Sequence, residues 1–347
     1  MCLSAKVELQ GKGHWDQDNM HGLVIIGILG CGILFFLAVR CTARTRPPNA
    51  LVGMEVVRSE NNPLVTFESS GSLAGNINSP SVIRVPKWIN APLGKYYMYF
   101  GHHQGRYIRL AYSDALEGPW QIHEPGTLKQ FHTGPFSGSI AAPDVHVDNT
   151  RKEIRMYFRG GPNTGVAVAG DGMNFTASGT VLGKAYLRAF EWQGAWYAIA
   201  KNRNTGWGEL LRSPDGLAPF ERRGRFIRRM RHAAVLLRGN TLTVFYSRKG
   251  DAPERVLAAT VSLSIDWREW IESEPIEVIR PEKEYEGTGF PDKPSRYGFA
   301  TEVRQLRDPC VFEENGKTFL FYTVSGEMGI AVANIRFEIR DARDESI

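Results

Sequence analysis

Cysteine is scarce in this chain: four in 347 residues, at Cys2, Cys31, Cys41 and Cys310. Three of them precede residue 42, so Cys310 stands alone in the remainder. No CxxC pair occurs, which excludes a disulfide framework and makes cysteine-based metal or redox chemistry an unsuitable explanation. A block of Lys and Arg is also missing. The formal net charge is only +5, and the cations are scattered as on a solvated surface, so no nucleic-acid partner is expected. There is no nucleotide-binding glycine fingerprint, no P-loop and no zinc-ligand spacing. No cofactor and no metal ligand set is therefore expected. Beyond residue 50 there is no long helical periodicity either, and strands must carry the fold.

One long apolar run is present. Residues 22–39 read GLVIIGILGCGILFFLAV without a charge, at the lower limit of length for a helix that spans a bilayer. Two readings compete. One is a signal peptide cut near Cys41-Thr42-Ala43, where small residues occupy the −3 and −1 positions. The other is an uncleaved anchor, which would give the chain contact with a membrane. The flanking charges lean against simple export: Lys6 and Lys12 stand among Glu8, Asp16 and Asp18 before the run, whereas Arg40, Arg44 and Arg46 follow it. The resulting division is an N-terminal flank (1–21), a signal or transmembrane segment (22–39), a linker (40–50) containing Pro47-Pro48, and a β domain over 51–347.

That domain is built of short aromatic and β-branched runs separated by Gly, Pro, Asp and Asn. Lys95-Tyr-Tyr-Met-Tyr-Phe100, Ile154-Arg-Met-Tyr-Phe158, Ala195-Trp-Tyr-Ala-Ile199, Leu242-Thr-Val-Phe-Tyr246 and Thr318-Phe-Leu-Phe-Tyr322 are the clearest, and such residues suit a pleated, half-buried surface. A second element follows most of them: a small residue, an Asp, a turn and an aromatic. Its copies are Ser113-Asp114…Trp120, Gly170-Asp171…Phe175, Ser213-Pro-Asp215…Phe220 and Ser264-Ile-Asp266…Trp270. The Asp suits a tight hairpin, bonding nearby backbone amides through its side chain. Successive Asp stand 57, 44 and 51 residues apart, a period that indicates a propeller with one four-stranded sheet per repeat. Five units fit. Their innermost strands are expected to begin near Ser79, Ala142, Ala185, Arg231 and Arg307. The last unit lacks the Asp-turn-aromatic element, and a segment within Val52–Glu68 is expected to supply its closing strand. The fold class is thus all-β: a five-bladed β-propeller preceded by an N-terminal hydrophobic helix.

The segments Asn78-Ser-Pro-Ser, Ala142-Pro-Asp-Val-His-Val-Asp148, Met230-Arg-His-Ala-Ala234 and Leu306-Arg-Asp-Pro309 resemble the five-bladed propeller superfamily of arabinanases, levansucrases and invertases. The hairpin element is similar to that of glycoside hydrolase family 43 and its relatives. The resemblance covers residues 75–335 and implies a carbohydrate substrate, a pocket at the propeller axis and acidic residues at its mouth. Such a domain suits an exported or membrane-anchored protein, periplasmic or extracellular. Some relatives hold a central cation, which the resemblance leaves open. The chain departs from the pattern in the first blade, where the usual Asp before Pro is replaced by Ser79.

If each inner strand starts at the pocket face, its antiparallel neighbour ends there. The loops after the second strands then bring His102, His103, Arg159, Lys201, Arg248 and Glu327 to the mouth. The strand starts bring Asp144, His146, Arg188, Arg231, His232, Arg307 and Asp308, with Glu302 just before the last strand. Glycoside hydrolysis needs two carboxyl groups flanking the bond. Asp144 and Asp308 are the expected pair: Asp144 as base or nucleophile, kept ionised by nearby Arg, and Asp308 orienting the sugar or stabilising positive charge, as the resemblance implies. Glu327, Glu302 and His232 are the candidates for the acid. His102, His103, His146, Arg159, Arg188, Arg231, Arg248 and Arg307 are the candidate substrate contacts. Each has a structural reading beside it. An Asp flanking Pro caps turns, a strand His is a hydrogen-bonded core residue, and an Arg pairs with a blade carboxylate. The excess of Arg also suits an acidic or sulfated sugar. Three functions follow: a glycoside hydrolase, a catalytically inactive carbohydrate-binding propeller, or a propeller used for protein contacts. Asp114, Asp171, Asp215 and Asp266 are read as hairpin residues.

Overall fold

The computed structural model describes residues 51–339 apart from Ala74 and Ser137. The hydrophobic segment 22–39, with the anchor, cleavage and orientation expectations attached to it, lies outside the described residues. Among those described, no helix is long and apolar enough to cross a membrane.

The strands form five antiparallel sheets in chain order. Blade one runs Asn78–Arg84, Tyr96–Gly101, Arg109–Ser113 and Gln121–His123 from the axis outward. Blade two runs Ile140–Asp148, Glu153–Gly160, Asn163–Ala169 and Thr176–Ala177, with Gly183–Lys184 also paired to its third strand. Blade three is Arg188–Trp192, Ala195–Asn202, Trp207–Ser213 and Glu221–Arg228. Blade four is Met230–Arg238, Thr241–Arg248, Val256–Ser262 and Ile276–Ile279. Blade five takes three strands from the C-terminal part, Arg307–Glu314, Lys317–Val324 and Gly329–Ile339. Its outermost strand is the N-terminal Leu51–Arg58, in register Val56↔Ile335 and Arg58↔Ala333. The expected closing strand is therefore present, and the five blades stand where the repeat placed them.

Strand periodicity explains why the blades stack. In Tyr96–Gly101 every residue is buried, because alternate side chains enter different interfaces. Tyr97 and Tyr99 join the cluster shared with blade two, while Tyr96, Met98 and Phe100 join the cluster shared with blade five. The buried apolar residues fall into five clusters, one for each pair of neighbouring blades. Fully burying an aromatic or aliphatic side chain of this size contributes about 1.5–3 kcal/mol, so the aromatic-rich second strands hold the ring together. The hairpin aromatics Trp120, Phe175, Phe220 and Trp270 are buried in the same clusters. The cluster between blades two and three, around Tyr157, Leu187 and Leu211, lies beside a cleft described below.

Candidate active site at the propeller axis

Each blade enters its inner strand through a residue with positive φ: Ser79 (53°), Ala142 (53°), Tyr186 (74°), Arg229 (59°) and Asp308 (47°). Three of these precede proline, in Ser79-Pro80, Ala142-Pro143 and Asp308-Pro309. A non-glycine residue in this region costs roughly 1–3 kcal/mol and persists only where its surroundings hold it. The register of the first two strands shifts at the same place in blades one, two, four and five. Arg229 is exposed and bonds Lys249 O at 2.8 Å, whereas Ser79, Ala142, Tyr186 and Asp308 all line the axial cavity.

Asp308 is buried there. Its Oδ1 accepts hydrogen bonds from Ser79 Oγ at 3.0 Å and from the Tyr186 hydroxyl, with His232 Nε2 at 3.5 Å. Its Oδ2 has no partner among the described residues. Burial, and the negative charge of Glu327, push the carboxyl well above its usual range against the pull of Ser79. His232 is buried beside it, its Nδ1 unpartnered and its ring 4.9 Å from that of Tyr186. Burial and the cations Arg231, Lys201 and Arg307 push this imidazole well below its usual pKa.

A buried ion network adjoins the pair. Glu254 accepts from Arg231 Nη1 at 2.7 and 3.0 Å and from Ser247 Oγ at 2.6 Å, and Arg307 Nε lies 3.0 Å from it. Arg307 Nη1 donates to Glu327 Oε1 at 2.9 Å. The other oxygen of Glu327 accepts from Asn78 at 3.1 Å and lies 3.2 Å from His103 Nε2. Burial would raise the Glu327 carboxyl, but His103, Arg307 and Arg231 hold it below its usual value. Glu254 is lowered in the same way, burial being outweighed by Arg231 and Arg307.

Asp144 does not join this group. It lines a separate cavity with Ser81, His146, Arg188, Cys310 and Val311, whereas Asp308 lines the axial cavity with Ser79, His103, Tyr186 and His232. The two residues expected as a carboxyl pair thus line different cavities. In blade two the position before proline belongs to Ala142, and Asp144 follows it by two residues, roughly 7 Å farther along an extended strand. Its Oδ2 takes bonds from Ala189 N at 2.8 Å and His146 Nε2 at 3.0 Å. Burial is outweighed by His146 and Arg188, which keep the carboxyl below its usual pKa. Arg188 is buried, its Nε bonded to Ala233 O at 3.1 Å and its guanidinium 4.9 Å from the Tyr186 ring.

The other expected residues are distributed as follows. His103, Arg159, Arg231 and His232 line the axial cavity, and Arg307 and Glu327 stand behind it in the ion network. His102 is half-buried, its pKa lowered by burial and by Arg109 and His103. Glu302 is exposed, and Arg248 bonds Asp251 at 3.3 Å; neither lines the cavity. Tyr186, Arg203, Glu254 and Tyr297 were not singled out in the sequence. Tyr186 alone had a signal there, as the blade-three counterpart of Ser79 and Asp308. Tyr297 and Gly298 belong to the long connection from Ile279 to Arg307 that crosses the mouth. The Gly298 carbonyl accepts from Arg231 Nη2 at 2.6 Å, and Gly298 lines the axial cavity.

The axial cavity measures about 20 Å³, room for one water. It shares Arg159, Tyr186, Lys201 and Arg203 with a cleft of about 340 Å³ between blades two and three, within the size range of small-ligand sites. The donor set does not suit a central cation: Arg188, Lys201, Arg231 and Arg307 already bring positive charge to the axis. Among the described residues no group of three or more His, Cys, Asp or Glu is placed to hold a metal ion.

No family model matches the sequence. The chain is 35% identical over 302 residues to an uncharacterized protein of Acanthamoeba polyphaga mimivirus, covering 75% of this chain and 83% of that one. Among solved structures, it is similar to a putative glycosidase from Bacteroides thetaiotaomicron, with a TM-score of 0.57 at 11% identity over 81% of this chain and 96% of the other. It is also similar to a GH43 beta-xylosidase/alpha-arabinofuranosidase from a compost microbial metagenome, with a TM-score of 0.52 at 15% identity over 82% and 95%. These likenesses establish the fold as the five-bladed propeller of GH43-type glycosidases.

Proposed function

Because the chain belongs to one family with the mimivirus protein and has the five-bladed fold of GH43-type glycosidases, we propose that it is a glycoside hydrolase-like protein whose saccharide substrate reaches the propeller axis. The observation that carries this reading is the buried Asp308 carboxyl with a free Oδ2, set against an ion-paired Glu327. Their environments drive the two pKa values apart, the arrangement that assigns acid and base in a carboxyl pair. Asp308 gives its proton to the glycosidic oxygen as the carbon–oxygen bond breaks. Water adds to the anomeric carbon and passes its proton through His103, which lines the axial cavity and lies 3.2 Å from Glu327, to that carboxylate, so one bond and one water become two hydroxyl groups. Ser79 and Tyr186 fix the Asp308 rotamer, and His232 stays neutral beside it. Asp144, at a separate cavity, neutralises Arg188 and is a positioning residue in this reading.

A second reading, saccharide binding without hydrolysis, draws on Ser79. It places a hydroxyl where blade five has a carboxyl, and the axial cavity admits only a water-sized group. Release of reducing sugar and saccharide affinity, measured for Asp308→Asn and Glu327→Gln, separate the two. Loss of about 10²–10⁴-fold in turnover in Asp308→Asn, with affinity kept, supports hydrolysis. Unchanged turnover in both variants overturns the proposed pair. Binding with no turnover in the wild-type chain decides for the second reading.

A further inference from the structure

The cleft between blades two and three has a composition that the hydrolytic pair does not explain. Its wall is cationic: Arg159 and Lys201 come from the ends of the second strands of blades two and three, Arg203 from the next turn, and Lys184 and Arg222 also face it. No carboxylate lines it. Arg222 is paired with Glu209 at 3.0 Å, and Arg159 donates to Ser139 Oγ at 2.9 Å. Arg203 makes no hydrogen bond or ion pair among the described residues.

Lys201 is the most unusual of the group. It is 7% exposed, and its ammonium makes no hydrogen bond or ion pair among the described residues. It lies instead 4.8 Å from the Tyr186 ring and 5.0 Å from the Tyr297 ring. Lysine normally extends its ammonium to water and buries only the stem. Here the head itself is held inside, facing a cleft it shares with the guanidinium groups of Arg159, Arg203 and Arg222. The cations oppose one another: burial and then Arg203 lower the Arg159 pKa, and burial with Arg231 and Arg203 lowers that of Lys201. A bound anion would relieve both the desolvation and the repulsion. Guanidinium forks beside a three-donor ammonium suit the several acceptor oxygens of an oxyanion.

We propose that this cleft is a subsite for an oxyanion carried by the saccharide, a sulfate ester or a uronate carboxylate, held by Arg159, Lys201 and Arg203. The inference rests on the reading of the axis as a saccharide site. Because the cleft and the axial cavity share these three side chains, an anionic residue of the glycan would sit next to the bond presented to Asp308.

The test measures the affinity of the purified full chain for one oligosaccharide backbone in three forms: unsubstituted, O-sulfated and uronate-bearing. Inorganic sulfate serves as a probe of the cleft alone. At least one charged form is expected to bind about tenfold tighter than the neutral form, with the advantage shrinking as salt rises. The form that gains tells a tetrahedral from a planar oxyanion. In Arg203→Gln and Lys201→Met the ratio of charged to neutral affinity falls toward one. Lys201→Met also raises the unfolding temperature, since it removes an unpaired buried charge, and this reports that the variant is folded. Equal affinities in the wild-type chain, or a ratio that Arg203→Gln leaves unchanged, overturn the subsite while the axial reading stands. Sulfate binding without affinity for any saccharide form overturns the proposal together with the axial reading.

Discussion

At Asp308, hydrogen bonds from Ser79 and Tyr186 favour the charged carboxylate, whereas burial and Glu327 oppose it more strongly. The folded-state pKa is thus raised above the ordinary value of 3.8. Such a group contributes stability that is fully present below the unfolded pKa and is lost as pH rises through the folded one. Asp308→Asn suffers no such loss. Its unfolding temperature relative to wild type is expected to climb as pH rises above the ordinary carboxyl value of 3.8; a difference that stays flat across thermal scans contradicts the raised pKa. His232 has the opposite sense. Its pKa is depressed below 6.5, so its contribution is present above that value and is lost as pH falls through the folded pKa. Replacing it by Asn is expected to flatten the acid side of the stability profile. Asp308 was legible in the sequence because Arg-Asp-Pro marks a strand entry. Asp144 was legible as a strand residue sharing a face with His146, but neither its bond to that ring nor its place in another cavity was, since two residues of offset separate it from the entry position. Tyr186 and Arg203 belong to blade three and Glu254 to blade four, and no linear spacing encodes their place around the axis.

Hairpins and strand entries do different work in each blade. Asp171 Oδ1 accepts from Met173 and Asn174 N at 2.9 and 2.8 Å, and Asp215 Oδ1 from Leu217 and Ala218 N at the same distances. Asp266 caps a short turn through Arg268 N at 2.9 Å. These three hairpins behave as their repeated pattern implied. Asp114 departs from it and accepts from Lys95 N at 3.2 Å, while Ser113 Oγ bonds Ala115 N. Asp215→Ala is expected to cost about 1 kcal/mol and leave any sugar turnover unchanged, which thermal unfolding and an activity assay check together. The strand entries are a harsher place for substitution. Arg307 joins Glu254 on one side and Glu327 on the other, all three buried. Arg307→Met is expected to cost about 3–5 kcal/mol, since removing one member of a buried pair strands its partner. A cost no greater than that of Asp215→Ala, read from denaturant midpoints, would show that the network relaxes to solvent. The sequence placed Arg307 at the mouth but gave no sign of Glu254, because the turn before the third strand of blade four carries no repeated feature.

A ring of blades is only as stable as its closure, and here the two ends of the described chain meet in one sheet. Gly329–Ile339 would be a long open edge if Leu51–Arg58 were absent, and an unpaired edge invites association with other chains. The closing strand also carries Arg58, whose Nε donates to the fully buried Glu286 at 2.8 Å. Glu286 accepts further bonds from the Tyr322 hydroxyl at 2.9 Å and from Glu282 N at 2.7 Å, so losing Arg58 leaves a buried carboxylate with neutral donors only. This closure was visible in the sequence as a missing fourth strand in the last repeat and an unassigned β-like run before the first. Its ion pair was not, since Arg58 and Glu286 are 228 residues apart. A chain beginning at Pro47 is expected to unfold like the full chain. One beginning at Ser59 is expected to lose at least about 10 °C in unfolding temperature and to self-associate. Arg58→Met, which keeps the strand, separates the ion pair from the backbone pairing: it is expected to lower the unfolding temperature by less than the deletion and to remain monodisperse in sedimentation. If deletion of 51–58 leaves both the unfolding temperature and the sedimentation profile unchanged, the N-terminal strand does not hold the ring closed.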